Sequence, residues 1–228
     1  MLPGIIEVTD KIAAEADRPA RKQQQRSIVT QQKLLDAAID AFSENGFQGT
    51  STRDIAERAG VHHPLITYHF KNKDQLWRAA ADQIFKEFGR LLAAALNESA
   101  DQDARARFTA MIRAFVLHAH EQPAVHKIIV QESGRRNPRM DWLVERHLRP
   151  FFEATVLQIE ALQSAGIAPA GNPAMLYHMI RLSAGGMLAM GHMLRGTSNI
   201  DIESRQTLDE LVEMIVRVYL PGPSGGSS

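Results

Sequence analysis

Apolar residues recur at three- and four-residue spacing along almost the whole chain, and the strict alternation of a half-buried strand is nearly absent. That periodicity restricts the fold to helices packed on helices, because each apolar stripe needs a partner to cover it. Over residues 27–44, Ile28, Leu35, Ile39 and Phe42 fall on one side, and Asn45-Gly46 supplies a stop. Thr50, Ser51 and Thr52 then offer hydroxyl caps to a short helix over residues 53–59, which ends at Gly60. Pro64 opens a second short helix reaching His69, where its missing N–H costs little. A long helix follows, capped by Asn72 or Lys73 and running to about residue 97, with Leu76, Ala80, Ile84, Phe88, Leu91 and Ala95 on one side.

The remainder continues in the same way. Residues 101–120 place Phe108, Ile112, Phe115 and Ala119 inward and are closed by Pro123; a short helix starts at Ala124. The pattern over residues 140–164 contains Pro150, which kinks or divides it. The last two helices are expected over residues 173–194, rich in methionine and glycine, and residues 202–219. The expected architecture is all-α, divided into an N-terminal arm (1–26), a small three-helix unit (27–72), a larger helical domain (73–220) and a disordered tail (221–228).

The absence of cysteine excludes disulfides, thiolate metal sites and cysteine nucleophiles. No stretch of about 18 apolar residues occurs and the first residues lack a basic head before an apolar core, so the expected location is the cytoplasm. Formal net charge is zero, but residues 18–73 carry nine basic against five acidic side chains, and residues 18–33 carry no acidic one. This local excess is a modest electrostatic footprint for a polyanion.

One longer helix, two short ones joined by a glycine turn and a basic segment in front meet the physical requirements of a helix-turn-helix DNA reader. With Ile66 inward, Phe70 returns beside it at about 100° per residue, leaving Pro64 and Tyr68 on the opposite face and Leu65 and Thr67 on its flanks. So short a helix is not stable alone, and an anchor on one side with rings and hydroxyls on the other suggests a presented surface.

The run FSENGFQGTSTRDIAERAG (42–60) continuing into VHHPLITYHFKNKDQLW (61–77) closely resembles the DNA-binding domain of the TetR family of transcriptional regulators, the resemblance covering residues 28–77. The resemblance implies a homodimer that binds a pseudo-palindromic, double-stranded DNA operator, each subunit placing residues 64–69 in a major groove. It implies phosphate contacts from Ser51 and Thr52, base contacts within reach of Arg53, His63, Pro64, Leu65 and Thr67, and a backbone grip by Tyr68, His69 and Lys73. His62 lies at the entrance to the same helix, and Arg21, Lys22 and Arg26 would extend along the backbone or into the minor groove. Thr67 stands where many members carry tyrosine, which leaves open whether Tyr68 reads a base or holds a phosphate.

In that family the remaining helices form an effector cavity and a dimer interface, here implying dimerisation through residues 173–194 and 202–219. Gly185, Gly186 and Gly191 are costly inside a helix, and close approach of a partner helix is a reason to keep them. Phe88, Phe115, His118, Trp142, His147, His178 and Met187 are the candidate ligand-binding residues. His118 and His120 diverge on a helix and no H-x-x-x-H pair occurs, so no metal site is expected, and no cofactor is called for. No phosphate loop, nucleophile elbow or zinc-hydrolase motif is present, so the chain is not read as an enzyme. The expected function is a one-component regulator, a repressor released by a small, largely apolar effector. The alternative is a dimeric ligand-binding or interaction protein with a degenerate DNA reader.

Overall fold

The structure, a computed structural model, describes residues 4–134 and 136–222, with side chains from residue 23 onward. Among the described residues every regular element is helical. The chain divides into two compact units, Met1–Ala80 and Ala81–Ser228.

The first unit contains α1 (Gly4–Gly49), α2 (Thr52–Arg58), α3 (Pro64–Phe70) and the start of α4 (Lys73–Glu98). Helix α1 begins at Gly4 rather than at residue 27, so the expected flexible arm joins the first helix without a break among the described residues. Residues 20–26 offer alanine, arginine, lysine and glutamine, all strong helix formers, and nothing there stops propagation. The helical path breaks at Gly46, with φ 69°. The buried Thr50 hydroxyl lies 2.9 Å from the Ala41 carbonyl and 2.8 Å from that of Gly46, serving acceptors that the break leaves over.

The buried stripe of α1 is Leu34, Ala37, Ala38, Ala41 and Phe42. The expected stripe is therefore displaced: Leu35 and Ile39 are half-buried and Ile28 is 52% exposed. Small alanines let the neighbouring helices approach closely, a contribution that apolar spacing weighted toward large side chains does not register. Ile55 of α2, Ile66 and Phe70 of α3, and Leu76 and Trp77 of α4 complete this core.

The second unit holds α5 (Ala104–Glu121), α6 (Ala124–Ser133), α7 (Pro138–Leu143), α8 (Arg149–Ser164), α9 (Pro173–Arg181), α10 (Gly191–Ser198) and α11 (Arg205–Tyr219). The expected long pattern over 140–164 is divided: a π-helical turn, Val144–Leu148, separates α7 from α8, and Pro150 sits in the first turn of α8. A proline there cannot donate to the preceding turn, and the wider π turn absorbs the missing bond. The expected helix over 173–194 is also broken, by a π turn at Leu182–Gly186 and a 3-10 turn at Leu188–Met190.

Helix α5 packs against α11 and against the second π turn, while α8 packs against α9. Phe108, Ile112, Val116, Ile159, Leu162, Leu208, Val212 and Ile215 are among the buried residues of this shared core, and full burial of one such side chain stabilises by about 1.5–3 kcal/mol. Arg113 pairs with Asp209 across α5 and α11. The Arg105 Nε donates to the Leu220 carbonyl at 3.0 Å, and the Gly222 N–H donates to Ile167 at 3.2 Å. Gly222 is thus held by the fold, which trims the start of the expected tail; residues 223–228 lie outside the described residues. Among the described residues no helix is long and apolar enough to cross a membrane.

Candidate nucleic-acid interface and ligand cavity

Local sequence builds the turn between α2 and α3. Ser51 caps α2 by accepting from the Asp54 N–H at 3.1 Å, and the Asp54 carboxylate accepts in return from the Ser51 N–H at 3.2 Å. This reciprocal pair satisfies two otherwise orphaned donors. At the other end Gly60 takes φ +63°, its N–H bonding Glu57 and the next N–H, of Val61, bonding Ala56, each at 3.0 Å. That paired closure requires a left-handed residue, which glycine adopts without a Cβ penalty.

Helix α3 buries Ile66 and Phe70, at 2% and 6% exposure, and presents Pro64, Thr67 and Tyr68 to solvent, with Tyr68 76% exposed. The expected anchor and the expected presented face are both found. Thr52 Oγ1 and His63 Nε2 are 3.0 Å apart, joining the first residue of α2 to the residue that precedes α3. Ser51, Thr52, Arg53, His62 and His63 are thereby gathered at one edge, all exposed except the half-buried Thr52. Leu65 is half-buried beside them. The Tyr68 and His69 rings meet edge to face at 4.9 Å, and burial lowers the His69 pKa.

The C-terminus of α3 turns sharply at Lys71, whose φ is 63° and ψ −49°, and the Asn72 N–H reaches back to the Phe70 carbonyl at 2.7 Å. This is a γ-turn of the rare, strained form. Asn72 then caps α4, its side-chain oxygen accepting from the Gln75 N–H at 2.9 Å. Lys73 lies 4.3 Å above the Phe47 ring, a cation–π contact that orients its ammonium. Arg26 is exposed on α1; the side chains of Arg21 and Lys22 lie outside the described residues.

In the second unit three cavities share Tyr177 and Arg181 as walls. One, of about 250 Å³, is lined by Phe88, Phe115, His126, His147 and Phe151 among others. A second, of about 370 Å³, includes Phe152 and His178. A third, of about 30 Å³, lies among Phe108, Met111, Phe151 and Ile159. Of the sequence candidates, Phe88, Phe115, His147 and His178 line these spaces. His118, Trp142 and Met187 do not: His118 stacks on Phe88 at 5.2 Å, and Trp142 packs edge-on against His147 at 5.4 Å. Tyr177, Arg181, His126 and Phe151 escaped the sequence reading, although a tyrosine and an arginine one turn apart in a methionine-rich segment are a legible signal.

Both His118 and His126 are almost fully buried, and neither Nδ1 has a hydrogen-bond partner. Burial first, then the positive charge of Arg181, pushes His126 down to about 4. His147 is lowered by burial, against the opposing influence of Asp82, whose Oδ1 lies 2.8 Å from its Nε2. Among the described residues no group of three histidine or carboxylate side chains is placed to hold a metal ion.

Two glycines of the 182–191 segment are required by contacts within the chain. A Cβ on Gly185 would collide with the His126 imidazole, and one on Gly191 with Ile202. The close approach these two positions permit is therefore to side chains of the same chain.

Residues 34–80 match the family model of bacterial regulatory proteins, tetR family. The chain is 48% identical over 59 residues to the HTH-type transcriptional repressor Rv3405c of Mycobacterium tuberculosis, a match covering 26% of this chain and 31% of that protein. It is 24% identical over 105 residues to the probable HTH-type transcriptional regulator YttP of Bacillus subtilis, covering 46% of this chain and 51% of that one. The chain thus spans about half or less of the curated relatives it matches. Its fold is similar to that of AibR, solved in complex with isovaleryl coenzyme A and operator DNA, with a TM-score of 0.67, 15% identity and coverage of 84% of this chain and 98% of the other.

Proposed function

We propose, from the match of residues 34–80 to the family model of bacterial regulatory proteins, tetR family, that the whole chain is a one-component transcriptional repressor, binding a pseudo-palindromic operator as a homodimer and released by a small effector. The observation that carries this reading is α3, anchored by Ile66 and Phe70 and presenting Pro64, Thr67 and Tyr68 outward beside Arg53 and His63. Arginine can hold guanine through two donors and Leu65 can pack on a thymine methyl, while Ser51, Thr52, Tyr68, His69 and Lys73 supply phosphate ligands.

Two exposed apolar rows support the dimer. Met175, Met179 and Leu182 follow helical spacing at 62%, 49% and 54% exposure, and Met214 and Val218 stand one turn apart on α11. Large apolar side chains left in water in this pattern favour a second copy. Paired recognition helices would then sit roughly 34 Å apart, one turn of DNA. The cavities around Tyr177 and Arg181 support an effector site, and AibR, of similar fold, holds an acyl coenzyme A together with operator DNA. Residues of α4 belong to both units, which makes that helix the natural carrier of coupling between them. An effector releases the operator only through its differential affinity for the two states.

The test is a mobility-shift titration of purified protein on the DNA upstream of its own coding sequence at low salt. A discrete complex that survives excess unrelated DNA supports the repressor reading; no complex at micromolar protein rejects it.

A further inference from the structure

Three cationic side chains line the three cavities that share Tyr177, and their partners differ. Arg146 is paired with Asp82 at 2.9 Å and Arg149 with Glu145 at 2.6 Å. Among the described residues Arg181 has no carboxylate or hydrogen-bond partner, yet it lines all three cavities. No aspartate or glutamate contributes to any of those walls. Arg181 is half-buried, and a guanidinium set in a largely apolar wall without a counter-ion is well placed for an anion to complete it.

Neighbouring polar groups share these walls. Tyr177, one turn before Arg181 on the same face of α9, is only 7% exposed and lines the same three cavities. The Nδ1 of His126, a side chain 4% exposed, is buried without a partner in the wall of the 250 Å³ cavity. The positive charge of Arg181 acts on Tyr177, His126 and His178, so these groups lie within electrostatic range of it. Around them the walls are aromatic and aliphatic: Phe85, Phe88, Phe115, Phe151 and Ile129.

We propose that this cavity binds a small organic acid with an apolar body, its carboxylate paired with Arg181 and hydrogen-bonded by Tyr177. A planar carboxylate matches the guanidinium fork through two parallel hydrogen bonds. The two larger cavities, about 250 and 370 Å³, lie near the lower end of the roughly 300–1,000 Å³ usual for ligand pockets. That size selects a medium-length acyl chain or a single-ring acid. The inference deepens the regulator reading in naming the acid as effector, while the binding itself is independent of DNA.

The experiment is calorimetry on the full chain without DNA, using decanoate and 4-phenylbutyrate, each against its neutral amide. The expected result is that at least one acid binds about tenfold or more tighter than its amide, the discrimination of one charge-assisted pair. Arg181→Gln should abolish that preference while leaving amide binding intact. Arg181→Lys, which keeps the charge, should retain part of it, and Arg90→Gln, which removes a cation paired with Glu87 and lining none of these cavities, should leave it unchanged. Equal binding of acid and amide by the unmodified protein, binding of neither acid, or a preference that survives in Arg181→Gln each overturns the proposal. If Arg181→Gln does not fold by circular dichroism, a preference that Arg181→Lys keeps in whole or in part supports the charge, and its complete loss overturns the proposal. A parallel operator titration separates the two readings: acid preference without operator binding removes the repressor role alone, and operator binding without acid preference removes this inference alone.

Discussion

Thr52 Oγ1 lies 3.0 Å from His63 Nε2, so the residue that opens α2 and the residue that precedes α3 hold each other in place. Both were expected to face DNA separately, one on a phosphate and one near a base. Their bond makes them a unit: the threonine sets the ring plane, and the ring fixes the start of α3 against α2. Thr52→Val keeps the shape and removes the hydroxyl. Operator affinity should fall about tenfold, the size of one net hydrogen bond to a positioned group, while the melting temperature changes little. Thr52→Ser should restore most of the affinity.

The reciprocal cap of Ser51 and Asp54 makes a separate prediction for stability. Ser51→Ala should destabilise the first unit by about 1 kcal/mol, read as an earlier urea midpoint. An unchanged midpoint would mean that tertiary packing, and not the cap, holds α2.

Gly185 is required by contact with His126. Gly185→Ala forces a methyl group against a buried ring and should cost about 1–3 kcal/mol, the range for overpacking. Gly134→Ala, at a position with open space around the added Cβ, is the control and should be close to neutral.

His126 is held neutral by burial, its pKa pushed down to about 4 from the usual 6.5. The unfolded chain therefore binds a proton that the folded chain refuses, so stability falls as pH drops below about 6.5 and the loss is complete near pH 4. The full effect is about 3 kcal/mol. Urea titrations at stepped pH check the sign and the window, and His126→Gln should flatten that part of the profile.

The small helices were legible in sequence because their boundaries are local. A serine cap, a glycine stop, a proline at the first turn and an asparagine cap act within four residues of themselves, and Ser51, Gly60, Pro64 and Asn72 all do so. The breaks near Val144 and Leu182 were only partly legible, since a π turn has no residue signature of its own. The cavity was the least legible part. Phe88, Phe115, His126, Phe151 and Arg181 come from five different helices, and only the packing of those helices places Arg181 in a wall without a carboxylate. Ile28 is the opposite case, an apolar residue at the right spacing that finds no partner to cover it.

DNA reading by α2 and α3 is tested by operator binding as a function of salt and sequence for the unmodified chain, Arg53→Ala and Lys73→Ala. Affinity should fall steeply with salt, and Arg53→Ala should relax discrimination at one base pair by about 1–3 kcal/mol. Lys73→Ala should weaken all sequences alike and reduce the salt slope by about one contact. Equal affinity of the unmodified chain for the operator and for scrambled DNA of the same length would contradict DNA reading by these helices.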